Sequence, residues 1–147
     1  MDTRSESAAS YPRFHLAFPV TNLSEARAFY GEFLACPEGR SSHEWVDFNF
    51  YGHQIVAHLV PQSNRGTVTN PVDGDNVPVR HFGVILSMQA WNKLAEKLNA
   101  AGTDFIIEPR VRFKGEPGEQ ATMFFLDPFG NALEFKAFED MNRIFAK

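Results

Sequence analysis

With one cysteine in 147 residues, the chain cannot close an intramolecular disulfide. Its stability must come from burial rather than cross-links, and a reducing, cytoplasmic setting is expected. That residue, Cys36, follows a helix-like segment and precedes Pro37, and it reads as a structural thiol. Positive charge is also short: 14 Lys and Arg stand against 18 Asp and Glu, a net charge of −4. Such a balance argues against nucleic acid or an anionic membrane as partner, because either needs a basic face. No apolar run approaches the roughly 20 residues that span a bilayer. The opening MDTRSESAAS lacks the apolar stretch of a secretory signal, so residues 1–11 are expected to be a disordered lead-in.

What is present is an ordinary globular composition, 44% hydrophobic and 22% charged, at a length that suits one domain with a real core. The 15 phenylalanines stand out. They imply an aromatic core or cavity lining that suits a planar, apolar small molecule.

The chain runs twice through one pattern. Residues 14–20 alternate as a strand, and Asn22 with Glu25 three positions on marks a helix start. Ala26, Phe29, Tyr30, Phe33 and Leu34 then form one helical face, which Pro37 and Gly39 end. A short strand fits residues 38–42. Residues 45–50 form another strand, Tyr51-Gly52 a turn, and residues 54–60 a further strand. The second pass opens with a strand over residues 81–86. A helix over residues 89–100 buries Trp91, Leu94 and Leu98 and is closed by Gly102. Strands follow at 105–107, 121–126 and 132–138, with Asp127-Pro128-Phe129-Gly130 as a turn. Overlaying His15 on His81 aligns the opening strands, and overlaying Gly52 on Gly130 aligns the closing ones. A repeat longer than 60 residues predicts two similar α+β modules. Their expected bounds are 12–60 and 80–138, with residues 139–147 as a tail. The polar stretch 61–79 is too long for an ordinary connector and is expected to be a mobile lid or a crossover linker.

Two histidines open equivalent strands, and Glu134 interrupts the apolar run Ala132-Leu133-Glu134-Phe135. A carboxylate there is costly unless it is paired or metal-bound. Two imidazoles and one carboxylate are the protein share of a facial triad, which leaves positions open on a divalent metal. His15, His81 and Glu134 are therefore the candidate ligands. Period two places residues 54, 56 and 58 on one face and 132, 134 and 136 on another. The overlay thus sets Val56 opposite Glu134 and turns His58 the same way. Histidine suits proton transfer at neutral pH, which makes His58 the candidate acid/base. His43 and His53 sit at turns and read as solvated.

The paired modules, the Phe29-Tyr30 helix and the Phe125–Glu134 run resemble the vicinal oxygen chelate superfamily. That superfamily includes glyoxalases, extradiol dioxygenases, fosfomycin-resistance proteins and bleomycin-binding proteins. The resemblance covers residues 12–138. It implies two βαβββ modules forming a cleft with a metal site, with His15, His81 and Glu134 as ligands. Glyoxalase I-type members use four protein ligands, and Val56 occupies the fourth position, where it cannot ligate. The three-ligand set is similar to that of extradiol dioxygenases and fosfomycin thiol transferases. The Asp127-Pro128-Phe129-Gly130 frame resembles the dioxygenases, although Phe124 stands where they carry a tyrosine. The resemblance implies a metal-dependent dioxygenase acting on a catechol-like substrate with O2. The metal would be Fe(II), with Mn(II), Zn(II) and Ni(II) as alternatives. The other activities it implies are a glyoxalase-like isomerase, a fosfomycin-type thiol transferase or a non-catalytic binding protein. Phe124, Val56, Arg110 and Gln120 are the expected substrate contacts, Arg110 and Gln120 as part of a loop at the cleft mouth. A small-molecule substrate and a homodimer are the expected partners.

Overall fold

Parallel pairing of an opening strand with a closing strand recurs in both halves of the computed structural model, which describes residues 11, 13–61, 69–72, 75–116 and 118–145. The lead-in expected over residues 1–11 lies outside the described residues except for Tyr11, as do residues 62–68 and 73–74 of the stretch between modules. The chain divides into two compact units, Met1–Gln62 and Ser63–Lys147.

In the first unit, β1 (His15–Val20) pairs in parallel with β4 (His53–Leu59). Strand β4 pairs antiparallel with β3 (Trp45–Phe50), and β3 pairs with β2 (Glu38–Ser41). Phe18, Val20, Val46, Phe48, Phe50, Ile55 and Ala57 are buried. By alternation they form one apolar face of the sheet. The helix packs here, with the Tyr30 ring 5.0 Å from Phe18 and 5.7 Å from Phe48. Asn22 caps it as expected, its Oδ1 accepting the Glu25 amide at 2.9 Å. The helix α1 (Leu23–Ala26) then continues as a π-helix over Arg27–Phe33, closed by the Leu34 amide on the Phe29 carbonyl at 2.8 Å. Its buried residues Ala26, Tyr30 and Leu34 recur strictly every fourth position. On an α-helix that spacing drifts by about 40° per step. The wider π winding reduces the drift and keeps the three in line on the sheet.

The β3–β4 hairpin turns through Tyr51 and Gly52, both at positive φ (53° and 89°). Two positive φ values match the right-handed twist of the flanking strands. The Gly52 amide donates to Asn49 Oδ1 at 2.7 Å.

In the second unit the main sheet runs β7-β11-β10-β9, and β8 also pairs with β11. The strands are β7 (His81–Phe82), β8 (Ile85–Leu86), β9 (Phe105–Arg112), β10 (Gln120–Leu126) and β11 (Ala132–Phe138). Helix α2 (Met88–Ala100) buries Trp91, Ala95 and Leu98, and the Trp91 indole N–H donates to the Phe135 carbonyl at 2.9 Å.

Three expectations change. The strand expected over residues 81–86 is broken at Gly83 and Val84. The short strand at 105–107 extends to Arg112, so Arg110 lies in a strand rather than a loop, and Gln120 opens β10. Pro109 is absorbed where the β9–β10 register shifts by one residue between Thr122↔Arg110 and Phe124↔Ile107. Finally, part of the stretch 61–79 is a hairpin, β5 (Thr69–Val72) with β6 (Asp75–Pro78).

Burial raises the Cys36 thiol to about 11. A thiol-modifying reagent at mildly alkaline pH should leave Cys36 unmodified in native protein and react with it in denaturant; rapid labelling of the folded chain would contradict this. Ala35 is exposed and sits just past the helix end at φ 59°, a conformation glycine adopts without steric cost. Ala35→Gly should raise unfolding stability by about 0.5–1 kcal/mol, measured by urea denaturation.

Candidate metal-ligand site

The register of the parallel ladders decides which side chains face each other. In the first unit His15 stands opposite Gln54, and Val56 stands between Ala17 on β1 and Asp47 on β3. In the second unit His81 stands opposite Ala132, and Glu134 stands opposite Phe124. The overlay of Gln54 with Ala132 and of Val56 with Glu134 is therefore structurally in register. Directly paired residues point to the same side. The face away from the helix in the first unit thus carries His15, Asp47, Gln54, Val56 and His58.

The second unit brings His81 and Glu134 together, Nε2 to Oε1 at 3.4 Å, both partly buried. Each is held from behind. The other imidazole nitrogen of His81, Nδ1, lies 2.8 Å from the Pro78 carbonyl, to which it can only donate. The second carboxylate oxygen of Glu134, Oε2, accepts the Thr122 hydroxyl at 2.6 Å. In the neutral imidazole, the Nε2 lone pair of His81 and the Oε1 of Glu134 face each other. One imidazole nitrogen and one carboxylate oxygen, each held from behind by a hydrogen bond, are groups of the chemical type that ligate metals. The Phe124 ring closes one side, its centroid 4.8 Å from that of His81. Phe124 is itself buried and packs with Val77, Ile107 and Ala132.

His15 belongs to the first unit and is exposed there, with Nδ1 2.7 Å from Gln54 Oε1. Gln54 Nε2 in turn donates to Asp47 Oδ2 at 3.1 Å. Among the described residues, no group of three or more His, Cys, Asp or Glu side chains is gathered as a metal cage. The candidates are resolved as His81 with Glu134 in one unit and His15 with its polar support in the other. His58 is exposed, lies between Trp45 and Pro19 in register, and lines an open cavity of about 570 Å³ with Glu44, Leu59, Val60 and Pro61. Val56 is buried. Arg110 pairs with Asp75 at 3.9 Å, and Gln120 is half-buried at the start of β10. His53 is not simply solvated: its Nδ1 accepts the Phe14 amide at 2.9 Å and anchors the chain just before His15.

Sequence reading misses Thr122, Gln54 and Asp47 as supporting residues. Period two does place Thr122 on the face of Phe124, and Gln54 on that of Val56. What the sequence does not reveal is which cross-strand neighbour each one reaches.

Gly83 sets the spacing of the His81–Glu134 pair. A Cβ built on it would overlap the carbonyl oxygen of Glu134, so only glycine lets this edge lie so close to β11. Gly83→Ala must push β7 away from Glu134, a backbone clash that no side-chain rotation relieves. A loss of about 3 kcal/mol or more in unfolding stability is expected. Stability within 0.5 kcal/mol of wild type, by denaturant titration, would show that the edge is not held this tightly.

The comparisons agree on family. The profile of the Glyoxalase/Bleomycin resistance protein/Dioxygenase superfamily matches residues 14–135. A glyoxalase/bleomycin resistance protein/dioxygenase from Alicyclobacillus acidocaldarius is 31% identical with TM-score 0.74, over 91% of this chain and 96% of that one. A genomically encoded fosfomycin resistance protein from Listeria monocytogenes shares the fold at 18% identity and TM-score 0.62, over 86% and 93%. The same Listeria protein complexed with Mn(II) and sulfate aligns at 19% identity and TM-score 0.60, over 86% and 90%. No protein of curated function matches. None of these relatives singles out extradiol ring cleavage, so that narrower expectation is not sustained. On the extent of the match and the 31% identity, the chain belongs to the glyoxalase/bleomycin resistance protein/dioxygenase superfamily.

Proposed function

We propose that the chain is a metal-dependent enzyme of the fosfomycin-resistance type, a thiol transferase acting on a small anionic substrate. His15, His81 and Glu134 would hold a divalent cation. Imidazole and carboxylate donors serve Mn(II), Fe(II), Zn(II) and Ni(II), and Mn(II) is favoured because the Listeria protein is described with it. Such a cation acts as a Lewis acid that polarises a substrate oxygen.

The observation that carries this reading is a cationic row beside the ligand pair. Arg110, Thr122 and Lys136 are partners in register across β9, β10 and β11, one step along the sheet from Phe124 and Glu134. They share the face of Glu134: Arg110 is paired with Asp75, and Lys136 is the cationic side chain that follows Glu134 on the same face of β11. An anionic substrate group is attracted to such a row, whereas a neutral catechol does not need it. Phe124 points the same way. It has no hydroxyl to offer an aromatic intermediate, and its ring is occupied in packing. His58 would accept the thiol proton and return it to the oxygen released when the thiol sulfur bonds to carbon.

His15→Ala, His81→Ala and Glu134→Ala should each weaken Mn(II) binding by at least 100-fold in calorimetry. Thr122→Val, which removes the hydroxyl behind Glu134, should weaken it about 10–100-fold. Turnover is then tested with a thiol and an anionic epoxide, with a hemithioacetal and with a catechol under O2. Turnover of the first supports the proposal. Oxygen uptake with catechol would restore ring cleavage, and metal binding without any turnover would favour a sequestering role.

A further inference from the structure

Three histidines of this chain have ring nitrogens engaged by groups whose donor or acceptor character is unambiguous, and together they reveal a tautomer pattern. A carboxylate has only acceptors, so the Gln54 atom facing Asp47 Oδ2 at 3.1 Å must be the amide nitrogen. The Gln54 oxygen is then the atom that lies 2.7 Å from His15 Nδ1, and an amide oxygen only accepts. His15 Nδ1 therefore carries a proton, and in the neutral ring the lone pair is on Nε2. The Pro78 carbonyl imposes the same state on His81. His53 is the opposite case: its Nδ1 accepts a backbone N–H from Phe14, so the neutral ring carries its proton on Nε2.

We infer that Asp47 and Gln54 are positioning residues, a relay that holds His15 with Nε2 presented as a metal donor. The inference rests on the metal reading above and adds two residues to it. Asp47 acts at one remove. It touches neither His15 nor any substrate, and it works by preventing the Gln54 amide from flipping. A flipped amide would present N–H groups to His15 Nδ1, force the proton onto Nε2, and remove the lone pair a cation needs. A main-chain carbonyl cannot flip, so His81 needs no second residue to fix its partner.

The test separates the relay from the metal reading. Imidazole nitrogen chemical shifts, recorded by NMR on metal-free protein well above the imidazole titration range, report each tautomer directly. His15 and His81 should show protonated Nδ1, and His53 protonated Nε2. Gln54→Leu should release His15 to a mixed or Nε2-protonated state while leaving His81 and His53 unchanged. It should weaken Mn(II) binding about 10–100-fold in calorimetry. Asp47→Asn should act in the same direction, because its side chain no longer dictates the amide orientation. The double variant Gln54→Glu with Asp47→Asn places an acceptor-only carboxylate against His15 and a donor behind it, and should restore both tautomer and affinity. This variant also covers the case in which Gln54→Leu fails to fold. An Nε2-protonated His15 in the wild type overturns the relay, as does Gln54→Leu with unchanged His15 shifts and metal affinity. A wild type with the stated tautomers that binds no Mn(II) overturns the metal reading and leaves the relay intact.

Discussion

Everything proposed for this chain depends on the parallel pairing of each unit's opening strand with its closing strand. An antiparallel hairpin would fix its register by its turn, but two parallel strands far apart in sequence have no turn between them. Their register must come from side chains and from local backbone fit. In the first unit it is secured where β1 begins. There the Phe14 amide meets His53, and the Arg13 guanidinium donates to the Gly52 carbonyl at 2.6 Å. In the second it is secured by the absence of a side chain at Gly83 and by the Lys136 amide reaching the Val84 carbonyl at 3.1 Å. A slip of one residue in either ladder would send the histidine to the opposite face, into the apolar core beneath the helix. The same constraint therefore keeps the candidate ligands off the helix-covered face of each sheet.

Most of the architecture is legible in the sequence because both periods are clean. The Asn22 cap, the 88–100 helix, the Tyr51-Gly52 turn and the strands at 45–50 and 132–138 follow from alternation and turn chemistry within a residue or so. Failures occur where one residue type has two meanings. Gly83 reads as an ordinary member of a strand, whereas its role is close approach to another backbone, which depends on a partner 51 positions away. The strand at 105–107 is expected to be short but runs on to Arg112, because a register shift on β9 accommodates Pro109. The π winding of residues 27–33 leaves an exact four-residue rhythm of burial, yet the same rhythm fits an α-helix well enough that nothing demands the wider form.

At the site, residue types are legible and their support is not. His15 and His81 emerge from the repeat because equivalent positions can be compared, and Glu134 emerges because a carboxylate interrupts an apolar run. Thr122, Gln54 and Asp47 have no such mark. Their importance lies in which lone pair or proton they contact, and that is a property of cross-strand geometry. Their equivalents across the repeat also differ. Asp47 corresponds to Phe124 by register, so the first unit places a carboxylate where the second places a phenyl ring. The two units thus reach the same histidine state by different means, and a comparison of modules alone would not find the relay.

The energetics of Glu134 bear on whether its contacts are a fold device or a functional one. Its neighbours on that face include Phe124 and Ala132, both part of an apolar cluster with Val77 and Ile107. A leucine there would bury apolar area at a gain of about 1.5–3 kcal/mol without any charge to desolvate. A carboxylate must instead recover its desolvation cost from the Thr122 hydroxyl, because the Nε2 of a neutral His81 that donates through Nδ1 has no proton to offer Oε1, 3.4 Å away. Such pairs seldom stabilise more than a well-packed apolar substitute, so stability alone gives little reason for this arrangement. The contact makes better sense as two donors held close and incompletely satisfied, with Oε1 and Nε2 each able to accept one more partner. That remaining capacity is what a cation would use.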